Sequence, residues 1–321
     1  MLGLTWAGSA QAKTKWDFYS FLPIAHPVAQ LHDAFTKEVA KRTNGELEIT
    51  FRPAGELPFS VSEGLRSIGT GQAHIGHSAG GFMAGTAPLT SVGGLPFLVR
   101  NWDELRKVGP IIEDAAGKDI ARHGAMLLYY YSWPPYVFWG SGKPIEGFGE
   151  FGGRKIRTND ADQTEMLRRL GAAGVTVATA EVPVAMERGV AQGLITSAYN
   201  ANASRWYEFL KWGYLVDINL AGPDYVIVNR AAFDKLPQSQ QQVLRDVSRE
   251  WQQKFMSMMT SSDETARTAL STQHKLKLVQ ATDQDVQRFI ALMQPYWEEW
   301  GKRNGPAGED LVRRIRSALG K

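Results

Sequence analysis

Residues 151–193 read FGGRKIRTNDADQTEMLRRLGAAGVTVATAEVPVAMERGVAQG. In this stretch two short strand patterns, RKIR at 154–157 and VTVA at 175–178, enclose a helical pattern. A strand, a helix and a second strand in this order are typical of a unit whose two strands run parallel. The stretch therefore predicts α/β architecture.

The alternation of strands and helices continues on both sides of this stretch. Apolar Trp16 and Phe18 alternate in a candidate first strand, and Pro27 then opens a helix that Asn44-Gly45 closes. Further strand patterns lie at 47–51, 124–131, 214–218 and 225–228. This order predicts an α/β protein with mostly parallel sheets, and 321 residues suit two lobes or one large α/β domain.

The longest helical pattern runs from Gln238 to about Leu270 without an internal glycine or proline. Its apolar positions are Val243, Val247, Trp251, Phe255, Met258 or Met259, Ala266 and Leu270. A helix of this length spans about 45–50 Å, more than the width of one small lobe, so we expect it to run along both lobes. A coiled coil is the alternative, but the stripe is short and has no e/g charge pattern.

The composition excludes several classes of site. Lys and Arg (36) barely exceed Asp and Glu (33), and the excess is spread along the chain, so it predicts no nucleic-acid partner. The absence of cysteine excludes disulfides, thiolate metal ligands and cysteine nucleophiles. With six histidines and no cysteine, we expect no transition-metal site. Gly80-Gly81 and Gly152-Gly153 match neither the Walker pattern nor G-x-G-x-x-G, so we expect no cofactor. No apolar run approaches the roughly 18 residues that a membrane helix needs.

Residues 1–12, MLGLTWAGSAQA, have features of the end of a secretion signal. Ala10-Gln11-Ala12 has the A-x-A form after which signal peptidase cleaves. The stretch is short and lacks a basic region. We therefore expect a residual signal-peptide tail, with a terminus without function as the alternative.

Gly76-His77-Ser78-Ala79-Gly80 matches the G-x-S-x-G string of α/β hydrolases, in which a sharp turn exposes the serine as a nucleophile. Only two strand patterns precede it, and residues 81–88 are weak helix formers. No His-Gly-Gly segment lies upstream to form an oxyanion hole. An α/β hydrolase stays an alternative, but we expect Ser78 to be non-catalytic.

The stretch 151–193 resembles the DctP-type solute receptors of the tripartite ATP-independent periplasmic (TRAP) transporters. The matching segments are Gly153, Lys155-Ile156-Arg157, Gly171-Ala172, Val175-Thr176-Val177, Glu181-Val182 and Arg188-Gly189-Val190. Gln192-Gly193 stands where the family usually has Asp-Gly, a departure that alters a turn. Similar segments elsewhere are FTKEVAKRTNGELEITFRPAGELPF at 35–59, Leu95-Pro96-Phe97 and Phe233-Asp234-Lys235-Leu236-Pro237, so the resemblance covers most of residues 15–300.

The resemblance implies a bilobal fold, with a ligand cleft between two α/β lobes and the long helix lying across both. Lobe I is expected to comprise residues 13–137 and about 224–262, and lobe II residues 138–223 and about 263–321. The implied function is that of a periplasmic receptor, without enzyme activity, that binds a small organic acid. The implied partners are the small and large membrane subunits of the transporter.

By resemblance, Arg157 is the residue that holds the ligand carboxylate in the cleft. An arginine presents a fixed fork of donors, which gives two charge-assisted hydrogen bonds to a carboxylate. The alternative is an ion pair of Arg157 with Asp160 or Asp162 at the surface.

Further ligand-binding positions follow more loosely from the resemblance. His77 and Thr196 match polar pocket positions, and Thr179 lies where sialic-acid-type members place an aromatic residue. Phe21 falls on the loop after the first strand, as does His26. The aromatic run after residue 130 suggests a wall of the pocket. The full set of predicted ligand-binding residues is Arg157, His77, Thr196, Phe21, Trp133, Tyr131, Tyr199 and Thr179.

A second arginine, which some members of the family have after the Tyr-Tyr strand, is missing. The chain reads Tyr130-Tyr131-Ser132-Trp133-Pro134-Pro135-Tyr136 at this point. A second carboxylate brought into the cleft would therefore lose water without gaining a charged partner. We expect a monocarboxylate with an apolar or aromatic body.

Two other receptor functions stay open. An ABC-type periplasmic binding protein has a similar two-lobed fold, and the long helix after residue 237 argues against it. A ligand-sensing subunit that docks on a receptor kinase would need the same kind of cleft.

Overall fold

The computed structural model describes residues 13–220 and 222–321, and the predicted signal-peptide tail at 1–12 lies outside them. The strands are β1 Thr14–Ser20, β2 Leu47–Arg52, β3 Ile75–Ala79, β4 Ala125–Tyr131, β5 Tyr136–Gly140, β6 Lys155–Thr158, β7 Ala173–Thr176, β8 Gly193–Ser197, β9 Trp212–Leu215, β10 Asp224–Asn229 and β11 Lys277–Gln280. The α-helices are α1 Pro27–Arg42, α2 Gly64–Gly69, α3 Gly80–Met83, α4 Trp102–Ala121, α5 Ala161–Arg169, α6 Val182–Glu187, α7 Ala198–Ala203, α8 Arg230–Asp234, α9 Gln238–Thr272, α10 Asp283–Arg303 and α11 Gly305–Leu319. Within the described ranges, no helix is long and apolar enough to cross a membrane.

The strands form two sheets, as a two-lobed α/β protein requires. The first sheet has the order β2-β1-β3-β10-β4 and the second the order β11-β9-β5-β8-β6-β7. The prediction of mostly parallel sheets is only partly right, because β10 and β5 each run antiparallel to both of their neighbours. Strands β3, β5, β8 and β11 were not among the predicted strands.

The two antiparallel strands are those that the chain enters after crossing between the sheets. Residues 132–135 lead from β4 to β5, and residues 216–223 lead back from β9 to β10. The two crossing segments meet in a bridge between Pro135 and Leu220. Strands β1, β3, β4 and β6 therefore end at the cleft, whereas β5 and β10 begin there. This arrangement brings the first residues of β5 and β10 to the cleft.

Helix α9 crosses both lobes, which confirms the prediction from its uninterrupted pattern. Leu244, Val247, Trp251, Phe255 and Met259 pack into the core of the first sheet, and Ala266 and Leu270 into a core beside the second. Leu244 takes the buried position expected for Val243, and Met259 rather than Met258 is buried. The indole of Trp251 donates to the carbonyl of Leu31 in α1 at 2.8 Å, which fixes the helix against the first lobe.

Helix α4 also contacts both lobes. Leu105 and Val108 belong to the core that contains the second sheet, whereas Ala116 and Ile120 pack against strands of the first. Leu95 and Phe97, in the segment before this helix, lie in the core of the second sheet. The residue boundaries given above for the two lobes remain a prediction.

Candidate functional site

A narrow cavity lies between the two sheets, where the crossing segments meet the strand ends. Its lining residues are Phe21, Leu22, Ala79, Phe82, Trp133, Tyr136, Arg157, Asn159, Thr179, Thr196, Asn200 and Asp224. The space inside it is small. It suits a ligand of a few ring or chain atoms.

Five of the eight predicted ligand-binding residues line this cavity: Arg157, Thr196, Phe21, Trp133 and Thr179. The other three do not line it, and the prediction that they contact ligand is not supported by their positions. His77 and Tyr131 are fully buried behind Asp224, to which both are hydrogen-bonded. Tyr199 packs behind Trp133, with their ring centroids 6.0 Å apart. Sequence reasoning missed the difference because strand neighbours point alternately to the two faces of a sheet.

Arg157 is the positively charged residue of the lining, and it forms no salt bridge with the residues that the structure describes. It belongs to β6, and its side chain is only 1% exposed. Its Nε donates to the carbonyl of Val177 at 2.9 Å, but Nη2 is buried and has no hydrogen-bond partner in the described parts of the chain. Burial lowers the pKa of Arg157 to about 10, so the guanidinium still carries its charge at neutral pH. A buried cation with an unused donor is a ready anion site.

The alternative ion pair of Arg157 with a surface aspartate is not found among the described residues. Asp160 caps α5 by accepting from the backbone N–H of Gln163 at 2.8 Å. Asp162 accepts from the hydroxyl of Tyr296 at 2.6 Å. The charge of Asp160 acts on Arg157 at a distance, but within the described ranges neither aspartate is hydrogen-bonded to its guanidinium. An arginine buried without a partner is costly to keep charged, and a ligand carboxylate would remove that cost.

Asn159 supplies a second unused polar atom beside Arg157. Its Nδ2 donates to the hydroxyl of Tyr136 at 2.8 Å, and its Oδ1 is buried without a partner in the described ranges. On β8, which neighbours β6 in the second sheet, the hydroxyl oxygen of Thr196 accepts from Nδ2 of Asn200 at 2.9 Å. That contact leaves the hydroxyl hydrogen of Thr196 free to donate into the cavity. The second lobe thus offers several donors and one acceptor to a ligand.

Asp224 brings a carboxylate to the cavity from the first lobe. It is the first residue of β10, its side chain is 1% exposed, and its Oδ2 lies 2.8 Å from Nε2 of His77. The hydroxyl of Tyr131 donates to the same oxygen at 3.2 Å. Opposite charges therefore face the cavity from the two lobes, at Asp224 and at Arg157.

His26 and Asn200 connect the lobes at the edge of the cavity. Nδ1 of His26 caps α1 by accepting from the backbone N–H of Val28 at 3.1 Å. This leaves the Nε2 hydrogen to donate to Oδ1 of Asn200 in α7, at 3.2 Å. Burial lowers the pKa of His26 to about 4, so the ring is neutral at physiological pH.

Ser78 does not lie on the exposed turn that a hydrolase nucleophile needs. It is an interior residue of β3, paired with Tyr225 of the neighbouring strand, and it is 2% exposed. Its hydroxyl donates to the carbonyl of Ala79 at 3.5 Å, and no histidine of the described chain is hydrogen-bonded to it. The G-x-S-x-G string here is part of a sheet.

The lining residues that sequence reasoning missed are two amides, one carboxylate and three apolar residues: Asn159, Asn200, Asp224, Leu22, Ala79 and Phe82. A signal for Asn159 was present, because it follows Arg157 by two residues and such residues share one face of a strand. Asp224 stands in front of the apolar run YVIV, and a charge at the start of a buried strand is unusual. No comparable local signal marks Asn200.

Comparison with known proteins places this geometry in a family. The family described as "Bacterial extracellular solute-binding protein, family 7" (DctP) matches residues 18–304. A "Solute-binding protein" of Chromohalobacter salexigens is 22% identical over 324 residues, which covers 99% of this chain and 93% of that protein. Among solved structures, DctP6 of Bordetella pertussis, an extracytoplasmic solute receptor binding pyroglutamic acid, is 25% identical with a TM-score of 0.88, covering 95% of this chain and all of that one. DctP7 of the same organism is 24% identical with a TM-score of 0.87, covering 94% and 99%.

Proposed function

The chain belongs to family 7 of the bacterial extracellular solute-binding proteins, the DctP family. On that premise we propose that it is a TRAP-transporter receptor and that its cleft binds a small cyclic monocarboxylate through Arg157. The family and the bilobal fold account for the receptor function and for the cleft. The identity of the ligand and the roles of the lining residues are the new parts of the proposal.

The observation that carries the proposal is Nη2 of Arg157, which lies at a cavity between the lobes and has no hydrogen-bond partner among residues 13–220 and 222–321. A carboxylate can accept from two nitrogens of one guanidinium in a fixed geometry, which no neutral ligand does equally well. Because the site is shielded from water, each of these hydrogen bonds is stronger than it would be at the surface. The same shielding makes the ligand-free closed site unfavourable, because the charge of Arg157 is then buried without a carboxylate beside it.

The ligand is proposed to carry a single carboxylate on a compact ring. Arg157 is the only arginine or lysine among the described lining residues, and Asp224 would repel a second carboxylate. Phe21, Phe82 and Trp133 supply flat apolar surfaces for a ring. The structurally similar DctP6 binds pyroglutamic acid, a five-membered cyclic monocarboxylate that fits these requirements.

The protein is proposed to act as a receptor and not as an enzyme. A receptor needs fixed donors in a closing cleft, whereas a hydrolase needs an accessible nucleophile with a base beside it. Ser78 is buried in β3 and has neither property. A fluorophosphonate probe is expected to leave Ser78 unlabelled, and stoichiometric labelling would revive the hydrolase alternative.

The partners are proposed to be the small and large membrane subunits of a TRAP transporter. The family is extracellular by description, and in a bacterium with two membranes such a receptor works in the periplasm. The A-x-A sequence at residues 10–12 supports export through a signal peptide.

Isothermal titration calorimetry on the purified protein tests the ligand class. Pyroglutamate is expected to bind at least tenfold more tightly than succinate or malate, because the second carboxylate of those acids would face Asp224. A galacturonate titration measures how much bulk the cavity accepts. Tighter binding of a C4-dicarboxylate than of every monocarboxylate tested would refute the proposed charge matching.

A further inference from the structure

Asp224 and Arg157 face the same cavity from opposite lobes. Asp224 opens β10 in the first sheet, and Arg157 lies in β6 of the second. Oδ2 of Asp224 is used by two protein donors. No hydrogen bond from residues 13–220 or 222–321 occupies its other oxygen, Oδ1, although the carboxylate lines the cavity. One acceptor is therefore left for a ligand.

The hydrogen bonds around His77 point their hydrogens toward Asp224. The backbone N–H of Leu22 donates to Oγ of Ser20 at 3.2 Å, and Oγ lies 3.0 Å from Nδ1 of His77. When the Ser20 hydroxyl donates to Nδ1, the ring hydrogen of His77 sits on Nε2. There it lies between two acceptors, Oδ2 of Asp224 and the hydroxyl oxygen of Tyr131, each 2.8 Å from Nε2. The hydroxyl of Tyr131 in turn donates to the same Oδ2 at 3.2 Å.

A second chain of hydrogen bonds, through His32, ends at the same carboxylate. His32 is fully buried, and burial lowers its pKa well below the usual value, so its ring is neutral. The hydroxyl of Tyr129 lies 3.1 Å from Nδ1 of His32, and Nε2 lies 3.3 Å from the hydroxyl of Tyr131. With Tyr129 donating to Nδ1, Nε2 donates to Tyr131, whose own hydrogen goes to Asp224. Both chains supply donors to Asp224 and take none from it.

This arrangement keeps Asp224 as an acceptor. Its Oδ2 already faces two hydrogen-bond donors of the protein. A ligand atom that meets Oδ1 must therefore bring a hydrogen. A ligand oxygen without one would place two lone pairs against each other in a site without water, where such a mismatch is costly.

We propose that Asp224 recognises an N–H group of the ligand, so that the receptor selects carboxylates that also carry a nitrogen-bound hydrogen on the side away from Arg157. This inference rests on the proposed function and narrows its ligand class. A ring lactam and a cyclic ammonium both provide the required donor. Binding of such a ligand links the first lobe to the second through its two ends, which stabilises the closed cleft.

Matched pairs of ligands test the assignment by calorimetry. The first pair is pyroglutamate and 5-oxotetrahydrofuran-2-carboxylate, which differ in a ring N–H against a ring oxygen. The second pair is proline and tetrahydrofuran-2-carboxylate, which replaces a cyclic ammonium in the same way. We expect the nitrogen member of one pair to bind about 10- to 100-fold more tightly, the effect of one hydrogen bond to a charged group. A preference in the first pair would show that Asp224 binds a lactam N–H, and a preference in the second pair would show that it binds a cyclic ammonium.

The variant Asp224→Asn decides whether this preference comes from Asp224. An asparagine has nearly the same shape and can turn its amide hydrogens toward a ring oxygen, so the ratio of the two dissociation constants should fall toward one. Asp119→Asn is the matched control, because Asp119 is also a buried aspartate but accepts from the backbone of Leu89, away from the cavity. It should leave the ratio unchanged.

The outcomes separate this inference from the proposed function. Equal affinities within both pairs, or a ratio that Asp224→Asn leaves intact while both ligands weaken, would overturn the role of Asp224 and leave Arg157 as the carboxylate site. Failure of every carboxylate to bind the parent protein would overturn the proposed function and this inference with it.

Discussion

Gly81 and Asp160 touch across the cleft: a Cβ atom placed on Gly81 would lie 2.9 Å from the Cβ of Asp160. Gly81 belongs to α3, directly after β3 of the first sheet, and Asp160 caps α5, directly after β6 of the second. Side chains do not approach so closely, so the contact leaves room only for glycine. Since it joins the two lobes, it forms when the cleft closes.

Gly81→Ala is therefore expected to weaken ligand binding by hindering closure. Overpacking a close contact costs about 1–3 kcal/mol, which corresponds to roughly fivefold to more than a hundredfold in affinity. Gly85→Ala is the control, because nothing lies within 4 Å of a Cβ atom at that position. Calorimetry with pyroglutamate compares the two variants. If Gly81→Ala bound ligand within twofold of the parent, the contact would not limit closure.

Asp160 is expected to take up a proton when ligand closes the cleft. Burial, followed by the neighbouring Asp162, raises the pKa of Asp160 to about 7 from its ordinary value of 3.8. In an open cleft the carboxyl would meet water and stay ionised at neutral pH. Closure at pH 7 should therefore be accompanied by proton uptake, and ligand affinity should rise as the pH is lowered from about 8 to 5.

The proton uptake is measured by titrating ligand in buffers with different enthalpies of ionisation, such as phosphate and Tris. Asp160→Asn should abolish the dependence of the binding enthalpy on buffer, while asparagine still caps α5. Asp103→Asn, which alters an exposed carboxylate, should leave it unchanged. An undiminished buffer dependence in Asp160→Asn would assign the proton to another group.

His26 is expected to make the protein less stable in acid. Its pKa is lowered to about 4 from 6.5, chiefly by burial, so the folded chain holds fewer protons than the unfolded chain between these values. Stability from this group is present above pH 6.5 and is lost as the pH falls toward 4, by up to about 3 kcal/mol. Asp160, whose pKa is raised, favours the folded state at low pH instead. The contribution of His26 must therefore be measured by comparing a His26 variant with the parent.

The variant His26→Asn isolates this contribution. Asparagine still caps α1 but is too short to reach Asn200, and it does not titrate. Urea unfolding at pH 7.5 and pH 4.5 should show a smaller loss of stability on acidification in the variant than in the parent. Equal losses in both proteins would show that His26 does not titrate in this range.

The parts of the fold that the sequence predicts are those with one strong local pattern. Helix α9 was predicted because no glycine or proline interrupts it and its apolar positions keep helical spacing. Strand β5 was missed because Val137, Phe138 and Trp139 are all buried, so the alternation of a half-buried strand is absent. Strand β3 was missed because its glycine, histidine and serine have little preference for strands, and its place between β1 and β10 decides its structure.

In the candidate site, too, the residue that belongs to a local sequence motif was predicted. Arg157 was predicted from a short motif that resembles a family. Asp224 was not predicted, because its role depends on His77, 147 positions earlier in the chain, and on Tyr131. Contacts over such separations arise from the topology of the first sheet, which sets β10 between β3 and β4. A local pattern does not contain that information.

Arg157 is expected to provide most of the affinity for the ligand carboxylate. Its Nε already donates to Val177, which holds the guanidinium in place, and Nη2 has no other partner in the described chain. Removing one member of a buried charged pair costs about 2–5 kcal/mol, because the remaining charge stays without water. At about 1.4 kcal/mol per tenfold, Arg157→Ala should weaken binding by tens to thousands of times.

Arg157→Lys should recover only part of that loss, since an ammonium is a point charge and lacks the fork that meets both carboxylate oxygens. Arg157→Ala should not lower the melting temperature of the ligand-free protein, because it removes a buried charge. Arg157→Lys keeps a buried charge, so its melting temperature should stay near that of the parent. Arg188→Ala, at an exposed arginine, is the control and should bind as the parent does. Calorimetry with pyroglutamate on the four proteins measures the effect. If Arg157→Ala bound pyroglutamate within about twofold of the parent, the charge of Arg157 would contribute little to the affinity, and the ligand carboxylate would be bound by other residues.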